Sequence, residues 1–172
     1  GGLTQLDGQT LTALGANGAG SIDVTVSQNI AVSRMIANNG DVSLLTTRGE
    51  IKDNSSAEGT GQENLVINNG TLSSLSATAI GNRFEQGALD VASTSVGDIT
   101  STEGGVFINF TGMNGAEVAF NSVTATSPDA DIALSAEQGG LAITTLDAAR
   151  DLSVTVAGDA GHQSILLGDT TV

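Results

Sequence analysis

A degenerate repeat of about 22 residues runs through almost the whole chain and limits what the chain can fold into. A short pair of apolar residues, two positions apart, recurs seven times. The pairs are Ile22/Val24, Val42/Leu44, Leu65/Ile67, Leu89/Val91, Val106/Ile108, Ile132/Leu134 and Leu152/Val154. Their first members are separated by 20, 23, 24, 17, 26 and 20 residues. Such a unit is too short to enclose a core of its own, so each unit must bury its apolar residues against its neighbours.

The spacing of the apolar residues predicts strands rather than helices. Within each unit the apolar period is two, and no stretch sustains the 3.6-residue period of an amphipathic helix. The sequence therefore predicts an all-β fold, a parallel β-helix (β-solenoid) of about seven coils with roughly 22 residues per coil. We expect the first members of the pairs, from Ile22 to Leu152, to point inward and to stack in one ladder.

Composition agrees with stacked parallel strands and disfavours some partners. The chain has 172 residues, with four Phe and no Trp or Tyr, and a parallel stack needs few aromatic residues because aliphatic side chains fill its interior. Nineteen acidic residues against five basic ones give a net charge of −14, so nucleic acids and anionic membrane surfaces would be repelled. There is no cysteine, which removes disulfides and Cys-based metal sites.

One domain, residues 1–172, accounts for the chain, and departures from the repeat mark its irregular parts. Residues 1–19 match the repeat least and predict an irregular first coil. Residues 53–62 and 77–87 break the rhythm, and both are predicted to leave the coil as loops. The sequence starts without Met and ends in an apparent strand without a polar cap. We therefore expect a segment of a longer repeat protein, with its ends covered by further coils or by neighbouring subunits.

Several units carry an aspartate followed by alternating aliphatic and polar residues, as at 39–44, 97–100, 131–135 and 148–155, and in the first two a glycine precedes the aspartate. These units resemble the repeats of filamentous-haemagglutinin-like exoproteins, the large adhesins of two-partner secretion systems, and those of autotransporter passengers. The resemblance covers about residues 20–172. It implies a right-handed parallel β-helix that is exported to the bacterial surface.

Residues that could carry catalysis are sparse. His162 is the only histidine, in an apparent turn, and Lys52 is the only lysine. The closest carboxylate pairs are Asp129/Asp131 and Asp147/Asp151, and Arg150 adjoins Asp151. Carboxylate pairs serve polysaccharide-cleaving enzymes, but the chain has almost no aromatic residues with which to hold a sugar. The sequence therefore predicts no enzyme and no catalytic residues.

Metal binding and glycosylation have weak sequence signals. Gly-Asp pairs occur at 40–41, 97–98, 158–159 and 168–169, but without the repeated nonapeptide of calcium-bound β-rolls they are better explained as turns. We therefore predict no metal and no cofactor. Sequons begin at Asn54, Asn69 and Asn109, and only Asn54 falls in a predicted loop where it would be reachable.

Together these features predict a non-catalytic segment of a secreted bacterial surface adhesin or filament, which acts as a rigid stalk. Two alternatives stay open: a polysaccharide-binding or polysaccharide-cleaving β-helix, and a self-assembling extracellular filament or matrix subunit. The expected partners are a host-cell or surface receptor or glycan, other copies of the chain, and an outer-membrane transporter, which the resemblance implies. No nucleic acid and no membrane span are expected.

Overall fold

The computed structural model describes residues 1–14, 19–56, 62–83, 87–111, 115–157 and 164–172. These residues contain β-strands and no helix, and every strand pairs in parallel with its neighbours. The strands form three stacked sheets, called faces A, B and C below. The chain is therefore the β-solenoid that the sequence predicts.

Each face is a column of strands taken from successive coils. Face A consists of β3 (Ile22–Val26), β6 (Val42–Thr46), β9 (Leu72–Ala77), β11 (Ser95–Ser101), β13 (Glu117–Ala125), β15 (Gly140–Ala148) and β17 (Ser164–Thr171). Face B consists of β2 (Thr10–Ala13), β5 (Arg34–Asn38), β8 (Leu65–Asn68), β10 (Leu89–Ala92), β12 (Val106–Phe110), β14 (Ile132–Ala136) and β16 (Leu152–Val156). Face C consists of β1 (Leu3–Thr4), β4 (Ile30–Val32) and β7 (Ile51–Asp53).

The chain visits face C, then B, then A in each of the first coils. Partners on face A, from Ile22 to Leu167, are separated by 20, 30, 24, 24, 23 and 24 residues. The structure thus has about six turns spaced by about 24 residues, close to the predicted seven coils of roughly 22. The longest step contains residues 53–62, so extra residues at a corner lengthen a coil without breaking the stack.

Inward side chains form a continuous ladder beneath each face. The ladder of face A is Ile22, Val42, Leu72, Val96, Phe120, Ile143 and Leu167. The ladder of face B is Leu11, Met35, Leu65, Val91, Phe110, Ala136 and Val156. The ladder that starts on face C is Leu3, Ile30, Ile51, Ile80, Val106, Ile132 and Leu152. Between faces A and B, the rings of Phe110 and Phe120 meet edge to face with centroids 5.0 Å apart, a favourable aromatic geometry.

The predicted single ladder is wrong, although its members do face the core. Ile22 and Val42 lie on face A, whereas the other five lie on face B in three different registers. Leu65 pairs with Val91, not with Leu89. The strands of all three faces show the same alternation of aliphatic and polar residues. Because the corners differ in length, a strand of one face can occur at the sequence position where the repeat predicts a strand of another face.

The coil changes shape along the stack. Among the described residues, face C ends as a regular sheet at β7, and beyond it Ile80 bridges Ile51 and Val106. Over the same coils, the strands of face A lengthen from five residues in β3 to nine in β13 and β15. The cross-section therefore changes from three-sided to two-sided.

An asparagine–glycine corner joins faces B and A in two successive coils. Asn39 and Asn69 have φ of 52° and 56°, in the left-handed region that asparagine tolerates better than most residues. The Asn69 amide donates to Asn39 Oδ1 at 3.1 Å. A Cβ on Gly70 would collide with the Gly40 carbonyl oxygen. These contacts explain the glycine that follows each asparagine at this corner.

The segment 77–87, predicted to be a loop, belongs to the coil in its first half. Ala77 ends β9 and is buried, and Ile80 is fully buried. Of this segment, residues 84–86 lie outside the described residues. The prediction of low packing is therefore wrong at Ala77 and Ile80, because Ile80 supplies one member of an inward ladder.

The segment 53–62, also predicted to be a loop, is tied to the first coil at its start. Asn54 donates to the Gln5 carbonyl at 2.6 Å, and Ser56 donates its amide and its hydroxyl to Asp7 at 2.9 and 2.7 Å. These two bonds lower the pKa of Asp7. Residues 57–61 lie outside the described residues.

In the first coil, β1 and β2 pair in register with β4 and β5, so its described strands are regular.

Candidate functional site

The residues that the sequence offers as candidates for catalysis do not come together in the described part of the chain. Lys52 lies within β7, and His162 lies outside the described residues. No group of three or more His, Cys, Asp or Glu side chains that could hold a metal occurs in the described part of the chain. Two of the Gly-Asp pairs contain Asp41 and Asp98. Asp41 accepts a hydrogen bond from Thr71 N, and Asp98 accepts hydrogen bonds from the side chains of Asn121 and Ser122. Their carboxylates therefore join neighbouring coils.

Asp131 is the centre of an ion cluster that joins several coils. Its side chain is buried, with 7% exposed. Arg150 donates from Nε to Oδ1 and from Nη2 to Oδ2, each at 2.6 Å, and Arg83 Nη2 lies 3.0 Å from Oδ2. The hydrogen bonds from Arg150 lower the pKa of Asp131. Asp131 is thus held ionised, which suits an ion-pair anchor and not a general acid.

A second polar cluster lies between faces C and B and was not predicted. The buried Asn64 amide donates to Asp53 Oδ1 at 2.5 Å and to the Val32 and Ser33 carbonyls. Asn64 Oδ1 accepts the Asp90 amide at 2.8 Å. Burial raises the pKa of Asp53. These bonds join Asn64 to the coils before and after it and to Asp53. The cluster therefore holds the chain in place where it returns to face B after the 53–62 segment.

The three sequons differ in exposure from the prediction. Asn54, expected to be the reachable one, is half-buried and its amide is engaged with Gln5. Asn109 is also half-buried and donates to Asp90 at 3.1 Å. Asn69 is exposed at the corner between faces B and A. Of the three, Asn69 therefore presents the most accessible side chain.

A groove of about 150 Å³ lies on the outside of face B. Its floor consists of outward side chains of β12, β14 and β16 in two rows. Register pairing aligns Phe107 with Ala133 and Ser153 in one row, and Asn109 with Ser135 and Thr155 in the other. In the first row Phe107 carries a large ring, whereas Ala133 and Ser153 carry only a methyl and a hydroxymethyl group. The groove is the space above the two small residues, beside the ring.

Described residues that precede β10, at 81–83 and 87–88, form the wall of the groove. Gly81 has φ of 62° and packs against the Phe107 carbonyl so closely that a Cβ there would collide with it. Asn82 N donates to the Gly87 carbonyl at 2.7 Å, and Arg83 reaches Asp131. Asn82, Arg83 and Ala88 line the groove. Gly81 N donates to the Ile51 carbonyl at 2.8 Å, so this backbone bond and the ion pair to Asp131 fix the wall to the coil.

The lining is aromatic and hydrogen-bonding with little charge. Asn109 donates to Asp90 and accepts from Ser135 Oγ, which orients its amide. Of the ten described residues that line the groove, Arg83 is the only one with an ionised side chain. In a chain of net charge −14, this part of the surface is a local exception.

No protein-family model, no curated protein and no solved structure matched this chain when it was compared with them. The described residues contain no helix of the length and apolarity needed to cross a membrane. The fold and the local chemistry are thus the basis for the function proposed below.

Proposed function

We propose that this chain is a non-catalytic segment of a secreted bacterial surface adhesin or filament and that it acts as a rigid stalk. One observation carries the proposal: three unbroken ladders of inward side chains run through the successive coils. Each coil is bonded to the next over two or three faces, so bending requires several parallel pairings to open together. A stack of this kind keeps its two ends at a fixed separation, which is what a stalk needs.

The resemblance of the aspartate-containing units to exported adhesin repeats supports the surface location. The expected partners in this role are a receptor or glycan on a host cell or other surface, and an outer-membrane transporter for export. Self-association has a separate basis. The outermost coils expose apolar side chains, Leu6 and Leu14 at one end and Leu166 and Val172 at the other, and these favour contact with further coils or other copies.

Surface location is tested on intact cells that express the gene from its own promoter. An antibody raised against the 172-residue chain is applied before and after lysis, and a periplasmic or cytoplasmic protein serves as the control. The proposal expects labelling of intact cells and loss of that label after external protease. A signal that appears only after lysis would overturn the surface role.

The stalk role is tested separately by pulling single molecules from their two ends. One coil of about 24 residues extends to roughly 80 Å, from about 3.4 Å per residue. The proposal expects stepwise lengthening in units of about one coil, at forces well above those that stretch an unfolded chain. Smooth extension without steps would mean that the coils do not resist load.

A further inference from the structure

We propose that the groove on the outside of face B binds one pyranose ring of a glycan chain. The inference is independent of the stalk role, because it rests on the local chemistry of the groove and not on the rigidity or location of the coil. Phe107 is half-buried and its ring leans over Gly105, where a Cβ would come within 2.5 Å of the ring. The absence of a Cβ at Gly105 thereby lets the Phe107 ring lie against the backbone.

The size of the groove fits a single six-membered ring. Its volume is about 150 Å³, and an apolar cavity of about that volume accommodates benzene. A pyranose has one face of C–H groups, which carry small positive partial charges and pack favourably on the negative face of an aromatic ring. Ala133, next to Phe107 in its row, leaves the space that such a ring would occupy.

The remaining lining provides partners for sugar hydroxyls. Hydroxyl groups need both donors and acceptors, and amides and hydroxyls supply both. Asn82, Ser153 and Thr155 line the groove with such groups, and Asn109 is already oriented by its bonds to Asp90 and Ser135.

Charge separates a glycan from other ligands of similar size. Among the described lining residues Arg83 is a cation and none is a carboxylate, so this part of the groove favours a neutral or anionic ligand. A wholly apolar ligand would cover the Ser153 and Thr155 hydroxyls without bonding to them, which is costly. Neutral hexoses and hexuronates share the ring chemistry, and only the hexuronate would gain from Arg83.

Saturation-transfer difference NMR with three methyl glycosides tests the proposal: a neutral hexoside, an N-acetylhexosaminide and a hexuronide. A site for one ring is expected to bind in the millimolar range. Phe107→Ala should weaken binding about tenfold. Ala133→Leu fills the groove and should abolish binding while leaving the ring in place. Arg83→Gln should weaken only the hexuronide.

Ala142→Leu is the matched control, because Ala142 is likewise a half-buried outward alanine, in β15 on face A. Circular dichroism and melting establish that each variant is folded, and Ala133→Leu decides the outcome if Phe107→Ala does not fold. Failure of all three glycosides to give a saturable signal would overturn the proposal. So would binding that Ala133→Leu leaves intact, or that Ala142→Leu reduces equally.

Discussion

Ile80 provides the sharpest test of how the coil is built, because sequence and structure disagree about its segment. The sequence predicts a dispensable loop at 77–87. In the structure Ile80 is fully buried and bridges Ile51 and Val106, so it carries the face C ladder across the coil where that face has no regular strand. We expect Ile80→Ala to destabilise the protein strongly.

The magnitude follows from what the substitution removes. Ile→Ala deletes three carbons, and at about 0.8 kcal/mol for each buried carbon the transfer contribution is roughly 2.4 kcal/mol. The cavity adds to this, since the ladder neighbours above and below are held by their own strands, and measured core substitutions of this kind cost about 2–5 kcal/mol. We therefore expect a loss of about 3–4 kcal/mol in the free energy of unfolding.

Urea unfolding followed by circular dichroism measures this loss. With an m-value of about 2 kcal/mol/M, the midpoint should fall by roughly 1.5–2 M. Ile165→Ala is the matched control, because Ile165 lies in β17 and is 46% exposed, and it should cost less than about 1 kcal/mol. If Ile80→Ala shifts the midpoint no more than Ile165→Ala does, Ile80 is not a structural member of the ladder.

Two further substitutions test the corners. Asp131→Asn should destabilise the protein near neutral pH because it removes the charge that faces Arg150 and Arg83. The pKa of Asp131 is lowered in the folded state, so its contribution to stability is present above the unfolded pKa near 3.8 and is lost as pH falls through the folded pKa. The melting temperatures of the two proteins should therefore converge in strong acid. A difference in melting temperature that stays constant with pH would contradict this. Gly70→Ala should lower the free energy of unfolding, measured in urea, by more than about 2 kcal/mol, because a Cβ would collide with the Gly40 carbonyl. A loss below about 0.5 kcal/mol would show that the corner adjusts freely.

The sequence was sufficient for the fold class but not for the register. The period-two alternation of apolar residues is a local signal, and it predicts stacked strands correctly. Which residues stack is decided by hydrogen bonds between coils, and corners of different length hide that pairing. Leu65 and Leu89 occupy equivalent places in the repeat pattern, yet Leu65 pairs with Val91. Ile80 was assigned to a loop because a single bridge residue has no alternation to reveal it.

The ion cluster and the groove could be predicted even less. Arg150 is next to Asp151 in sequence but makes its short contacts with Asp131, which lies 19 residues earlier. The groove depends on Phe107, Ala133 and Ser153 standing in one outward row, and that row exists only once the register is known. Pairs such as Asp129/Asp131 can be recognised from the sequence because their members are close along the chain. Proximity between residues of different coils cannot be recognised in this way.

The variable coil lengths have a consequence for how the outer surface can change. Each coil adds one inter-strand spacing of about 4.8 Å along the axis, whether it contains 20 residues or 30. Outward side chains therefore occupy a grid whose intervals are set by backbone geometry and not by residue count. An insertion at a corner would change what is displayed at one height while every other position on the grid stays where it was.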